Sequence, residues 1–341
     1  MASEPTIFDV AALAGVSKST VSNVVRGADE VSDATRARVV AAIAQLNYKP
    51  NAIARQFVKQ RTTMIGVLVG DLDNPYYAQM SRVVERAAFR HGYTAMFCNI
   101  EGDDDLAVKG VEALLEHRVA GVVCLAFIER TPELEESLRR AGVPIVFVGL
   151  HERWGDSVGP RDSEGGRLAT EHLVALGHRR IAYVRTPLVD ASGDRARFSG
   201  YRAALKAAGR EAPGTFGWQP GADLLRTGRR SVTFERALRG PGAPTALFVS
   251  NDIGAISLIE ACESRGIRVP GDVSIVGFDD IAIASLHRIS LTTIAQPLDY
   301  QAEQAVSMLL ERIEQPTRRP RRMSVPVELR VRGSTAPPQR R

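Results

Sequence analysis

Cysteine is scarce in this chain: Cys98, Cys124 and Cys262 stand far apart, with no CxxC pair. That spacing excludes a disulfide framework and a cysteine-ligated zinc site, and it reads as reduced thiols buried in a cytosolic protein. Long apolar runs are missing too. No stretch approaches the roughly 18 apolar residues of a membrane span, and MASEPTIFDV lacks the basic and then apolar regions of an export signal. A cytoplasmic protein is expected. The signatures of common catalytic sites are also absent: there is no GxSxG elbow, no P-loop, no HExxH and no GxGxxG after the first strand. The six histidines are scattered, none beside a suitable nucleophile. No enzyme, metal site or cofactor is expected. Charge imbalance is small, a formal +5 over 341 residues, so net charge alone says little about nucleic acid.

Apolar residues are plentiful. At 44% hydrophobic the chain can fill more than one core, which suggests two or three domains. Two periodicities divide it near residue 61. Up to about Leu46 the apolar residues recur at helical spacing. From Met64 onward come IGVLVGD (65–71), YTAMFCNI (93–100), VAGVVCLAF (119–127), VPIVFVGL (143–150), IAYVRT (181–186), TALFVSND (245–252) and VSIVGFDD (273–280). Each is too uniformly apolar to have a wet face, and helical stretches separate them. That pattern predicts parallel strands covered on both sides, about nine in all, in two doubly wound α/β sheets. Asp71, Asn99, Asn251, Asp252, Asp279 and Asp280 fall at or just past strand C-termini, where open α/β sheets place ligands.

In the first fifty residues Thr6 can cap a helix over 7–14, with Asp9 in its first turn and Gly15 ending it. Ser17 can cap a second helix over 18–25, whose stripe is Val21, Val24 and Val25. A third helix begins at Ser32 and buries Val39, Ile43 and Leu46. Two short helices joined by a glycine turn, with a third behind, predict a helix-turn-helix whose second helix enters a major groove. Its outward residues suit that role. Lys18 can donate to guanine and Asn23 can pair with adenine, while Ser19, Thr20 and Ser22 allow close approach and donate to phosphates. Residues 1–63 hold eight Lys and Arg against five Asp and Glu, a charge of +3.

The stretch TIFDVAALAGVSKSTVSNVVRGADEVSDATRARVVAAIAQLNYKPNAIARQF resembles the DNA-binding head of the LacI/GalR family of transcription regulators nearly position for position. The likeness continues through GVLVGDLDNPYYAQM, EGGRLATEHLVALGHRRIAYV, RFSGYRAAL, SNDIGA, VSIVGFDD and LTTIAQP, so it covers nearly the whole chain. The resemblance implies a head (1–50), a hinge helix and linker (51–63) and a periplasmic-binding-protein-like effector and dimerisation domain (64–335), then a tail (336–341). The N-lobe is expected over 64–161 and 292–320, and the C-lobe over 162–291 and 321–335. Crossings between them are expected near Asp162, near 290–293 and within PTRRPRR (316–322).

By the same resemblance the hinge contributes Arg55 and, as a minor-groove wedge, Phe57, since an inserted apolar side chain unstacks a base step and bends the duplex. The effector contacts implied are Asp71, Tyr76, Tyr77, Arg197 before a helix, Asn251, Asp279 and Gln296. Their chemistry coheres: hydrogen-bonding groups of both kinds, a planar cationic fork and two aromatic faces suit a neutral polar ring such as a sugar or nucleoside. Gly149 stands where many sugar-responsive relatives carry an Asp. The implied partners are double-stranded operator DNA, a small effector and a second copy of the chain, and the implied place is the nucleoid. The alternative is a solute-binding protein of the same fold, which would be exported and would lack residues 1–60.

Overall fold

The computed structural model describes residues 5–26, 31–48, 62–126, 136, 139–149, 155–186, 191–210, 215–218, 224–227 and 230–339. The chain forms two compact units, Met1–Thr62 and Thr63–Arg341.

The described residues of the first unit form three helices, α1 (Ile7–Ala14), α2 (Lys18–Arg26) and α3 (Asp33–Gln45). Local chemistry fixes the first of them. The Thr6 hydroxyl accepts from the Asp9 amide while the Asp9 carboxylate accepts from the Thr6 amide at 2.7 Å, a reciprocal cap, and Gly15 closes the helix at φ 62°. Ser17 and Ser32 cap the next two through Thr20 N and Thr35 N. Val10, Val21, Val24 and Val39 are buried at the centre, with Ile43 and Leu46 half-buried against them.

The second unit begins with β1 (Met64–Val69), α4 (Pro75–Arg90), β2 (Thr94–Asn99), α5 (Asp104–Glu116), β3 (Val122–Leu125), β4 (Ile145–Val148) and β5 (Asp156–Pro160). It continues with α6 (Asp162–Ala175), β6 (Ile181–Arg185), α7 (Ala191–Ala207), β7 (Thr215–Gly217), β8 (Leu224–Thr227), β9 (Arg230–Thr233), α8 (Phe234–Arg239), β10 (Ala246–Val249), α9 (Asp252–Glu263) and β11 (Ser274–Asp279). After β12 (Thr292–Ala295) come α10 (Leu298–Glu314), β13 (Arg322–Val325) and β14 (Glu328–Arg330).

These strands make two sheets, ordered β13-β5-β4-β3-β1-β2 and β14-β12-β11-β10-β6-β7-β8-β9. The first is wholly parallel; in the second, β14, β8 and β9 pair antiparallel. Both orders reverse, beside β1 in one lobe and beside β6 in the other, which opens a crevice at the C-terminal strand ends. Helices cover both faces, so β1, β3, β4, β6, β10 and β11 are buried almost throughout. The prediction of two doubly wound sheets holds for these strands. YTAMFCNI does have a wet side: β2 is an edge strand, Thr94 and Asn99 are exposed, and Cys98 is only half-buried. About nine strands were expected and fourteen are seen among the described residues, because short strands such as β5, β7 and β13 carry too few apolar residues to stand out.

Three segments join the lobes, and two lie later than the sequence suggested. The first, at Arg161, fits the expectation near Asp162. Strand β12 still belongs to the C-lobe sheet, so the second crossing is at 296–297 rather than 290–293. Strand β13 pairs with β5 in the N-lobe, which moves the third crossing from 316–322 to Pro326–Val327. Proline and arginine in PTRRPRR suggested a linker, but Arg321 N donates to the buried Asp156 carboxylate and pins the segment to the N-lobe. The tail also begins later than residue 336: the Ala336 amide and carbonyl both bond the Ser274 hydroxyl, and the carbonyl also bonds the buried His178 ring.

Candidate functional site

On the head, Lys18 and Ser19 are exposed and Thr20, Ser22 and Asn23 are half-buried, while Val21 and Val24 face inward. Lys18 Nζ lies 4.9 Å from the centre of the exposed Phe8 ring. The Ser17 hydroxyl, which caps α2, also bonds those of Ser19 (2.7 Å) and Thr20 (2.8 Å). Arg55 and Phe57 lie outside the described residues.

In the second unit the strand ends bring together most of the other predicted residues. Asp71 follows β1, and its carboxylate accepts from Asp73 N, an Asx turn that starts the chain toward α4. Asn74 caps that helix, with Pro75 in its first turn, and this places Tyr76 and Tyr77 at the mouth of the crevice, rings 5.2 Å apart and nearly edge to face. Tyr76 packs against the cores of both lobes, so the lobes meet at its ring. Burial pushes its hydroxyl well above the usual tyrosine range, and the Asp279 charge adds to the effect. The hydroxyl sits 3.0 Å from where a β-carbon would stand on Gly149, which has φ 82°. A larger residue at 149 would displace it.

Arg197 lies within α7 rather than before it, and it is buried. Its Nε donates to Asp162 Oδ1 at 2.8 Å, its Nη1 to the Ser250 carbonyl at 2.5 Å, and its guanidinium lies 3.6 Å from the Phe278 ring centre. Burial alone would favour the neutral form, but the Asp162 and Asp279 carboxylates hold it more firmly protonated than an ordinary arginine. Two glycines make the ion pair possible. A β-carbon on Gly166 would stand 2.0 Å from the Arg197 carbonyl oxygen, and one on Gly200 would stand 1.9 Å from that of Ser163. Helices α6 and α7 therefore touch backbone to backbone, which brings Asp162 to Arg197.

Asn251 is buried with its side-chain oxygen accepting from Gly254 N at 2.9 Å; it caps α9 and keeps only its amide for a ligand. Asp279 ends β11 with φ 126°, and its carboxylate accepts from Gln296 Nε2 at 2.8 Å. Gln301 in turn donates to Gln296 Oε1 at 3.2 Å. Asp252, behind this row, accepts from Thr293 Oγ1 (2.5 Å) and Ile281 N (3.0 Å). Burial pushes the carboxyls of Asp252 and Asp279 up, and at Asp279 the Arg197 charge opposes it. Sequence reasoning left Asp162 as a crossing marker, gave Asp252 no partner and passed over Gln301; SNDIGA, with two acidic or amide residues opening a helix, was the available signal for Asp252.

The N-terminal residues 6–51 match the model of bacterial regulatory proteins of the lacI family, and residues 170–335 match that of a periplasmic binding protein-like domain. The ribose operon repressor of Escherichia coli (strain K12) is 39% identical over 337 residues, covering 96% of this chain and 99% of its own. The chain belongs to the LacI family. This LacI-family chain is a DNA-binding transcription regulator controlled by an effector, not an enzyme. Its fold matches the lac repressor dimer bound to operator and the anti-inducer ONPF, with a TM-score of 0.82 at 29% identity over 98% of this chain and 100% of that one. A LacI family regulator from Enterococcus faecium with bound ribose matches with a TM-score of 0.67 at 28% identity, over 80% of this chain and 99% of that one. Among the described residues no helix is long and apolar enough to cross a membrane.

Proposed function

We propose that the chain is a homodimeric repressor that holds a pseudo-palindromic operator through α2 and residues 51–58, and that a small sugar of the pentose class, such as ribose, bound between its lobes loosens that hold. The observation that carries the effector reading is the row of buried polar groups at the strand ends: the Arg197 fork, the Asp279 carboxylate and the Gln296 amide, beside Tyr76 where the lobes meet. A polyol offers each oxygen as donor and acceptor, which fits a carboxylate and a guanidinium set side by side, and a tyrosine face suits the flat side of a sugar ring. The ribose bound to the Enterococcus faecium regulator supports the same class.

In this reading Lys18, Ser19, Thr20, Ser22 and Asn23 face the major groove, with Arg55 and Phe57 at the minor groove, and Asp71, Tyr76, Tyr77, Arg197, Asn251, Asp279 and Gln296 contact the sugar. Binding across the lobes favours one lobe arrangement, and the difference in affinity between arrangements sets the response. Work on chromosomal DNA would place the protein at the nucleoid. Genome-wide mapping of bound DNA gives the operator, and calorimetry with D-ribose, D-xylose, D-glucose and hypoxanthine tests the effector class. Tight binding of hypoxanthine with no heat from the pentoses would replace a sugar by a purine.

A further inference from the structure

The turn that presents Asp279 is unusual in its backbone. Asp279 has φ 126° and Asp280 has φ 58°, two successive residues other than glycine on the side of the map that L-residues disfavour. Such a turn persists only where its surroundings over-determine it. From inside the lobe, Asp252 accepts the Ile281 amide. From outside, the grip is Arg332, on the segment after β14. Its Nη2 donates to Asp280 Oδ1 at 2.6 Å, its Nη1 to the Leu291 carbonyl at 2.8 Å and its amide to Thr292 Oγ1 at 2.9 Å. Gly333 and Ser334 fasten the same segment, through Ser290 and through the Ile275 carbonyl. Arg332 therefore ties together both ends of the loop that runs from Asp280 to Leu291. On the turn, its side chain bonds the Asp280 carboxylate.

We propose that Arg332 is a positioning residue for the effector site: acting through Asp280, it keeps Asp279 in the backbone conformation that aims its carboxylate at the effector. The proposal rests on the reading of Asp279 as an effector contact. The guanidinium is needed because one planar group must serve two oxygens at once, a carboxylate and a carbonyl, which a lysine ammonium does with poorer geometry.

The test is a double-mutant cycle in the full-length protein with D-ribose as the probe, read by calorimetry, together with amide exchange at Ile281 without sugar. Arg332→Met should weaken D-ribose binding about tenfold or more, as expected for loss of a charge-assisted hydrogen bond. Arg332→Lys should fall between, and the Ile281 amide should exchange faster in both. Asp280→Asn removes the carboxylate that Arg332 holds, while asparagine still tolerates a left-handed backbone. Its effect should therefore not add to that of Arg332→Met. Additive losses, or D-ribose affinity and Ile281 exchange that stay at wild-type values in Arg332→Met, overturn the proposal. If the wild type gives no heat with D-ribose, the pentose reading fails, and the Ile281 exchange rates still decide the role of Arg332.

Discussion

Replacing Arg197 separates the packing role that its bonds to Asp162 and Ser250 show from the effector contact proposed for it. Arg197→Ala removes the cationic partner that hydrogen-bonds one oxygen of Asp162, a carboxylate only 4% exposed, and breaking a buried ion pair from one side costs up to about 3–5 kcal/mol of folding stability. A lost sugar response in that variant could therefore follow from unfolding of the lobe. Arg197→Lys is the sharper perturbation. Its ammonium keeps a charge opposite Asp162 but gives up the bond to the Ser250 carbonyl and the flat contact with Phe278, together about 2–4 kcal/mol of stability. Among the described residues the Nη2 of Arg197 has no protein partner, so the proposed effector contact would use this corner. Losing it should weaken sugar binding by about 1–3 kcal/mol, or about 5- to 150-fold. The assay is calorimetry with D-ribose on protein shown to be folded by its melting transition, paired with operator binding in the absence of sugar, which should be unchanged. If Arg197→Lys binds D-ribose as the wild type does, Arg197 only ties α6 to α7, and the effector must be held elsewhere.

Gly200→Ala should lower the melting temperature of the effector domain by an amount equivalent to about 1–3 kcal/mol or more, because a methyl group 1.9 Å from the Ser163 carbonyl forces two helices apart; an unchanged melt would show that the helices do not pack this closely. Thr6→Ala should cost the head about 0.5–2 kcal/mol, seen as faster amide exchange in α1 and weaker operator binding, with sugar binding untouched. The pH dependence has a definite sign. Burial raises the folded-state pKa of Asp279, and the Asp252 charge adds to this while Arg197 opposes it. Its contribution to ligand-free stability is thus fully present below the ordinary carboxylate range and is lost as pH rises through the folded value. A sugar hydroxyl that donates to Asp279 favours the ionised form, so D-ribose binding should tighten between about pH 6 and pH 9 and release protons to the buffer, which calorimetry in two buffers detects; pH-independent affinity would show that the Asp279 ionisation is not engaged.

What could be read from the sequence was what is local. The head was legible because its caps are made by neighbours: Thr6 with Asp9, Gly15, Ser17 and Ser32 each act within four residues. Strands β1, β3, β4, β6, β10 and β11 were legible because burial on both faces makes them uniformly apolar. Strand β5, DSVGP, was not, since the hydrogen bonds that the buried Asp156 at its start accepts come from Arg312 and Arg321, more than 150 residues away. The site divides the same way. Tyr76, Arg197, Asp279 and Gln296 could be placed from their motifs, but their obligations could not: Asp162 reaches Arg197 across 35 residues and Asp252 reaches Thr293 across 41, and only the packed lobe brings them together. Asn251 shows the reverse. Its position after a strand suggested a ligand contact, and its oxygen proves to be a helix cap.

The central claim, that a small sugar between the lobes governs the hold of the head on DNA, is tested most directly by operator binding measured with and without D-ribose. With the site found by genome-wide mapping and fluorescence anisotropy at fixed salt, the sugar should weaken operator affinity at least about fivefold, the low end of typical coupling between two sites, and leave binding to random DNA unchanged. Superimposable operator curves with and without D-ribose, in a protein that calorimetry shows to be saturated with the sugar, would contradict the account.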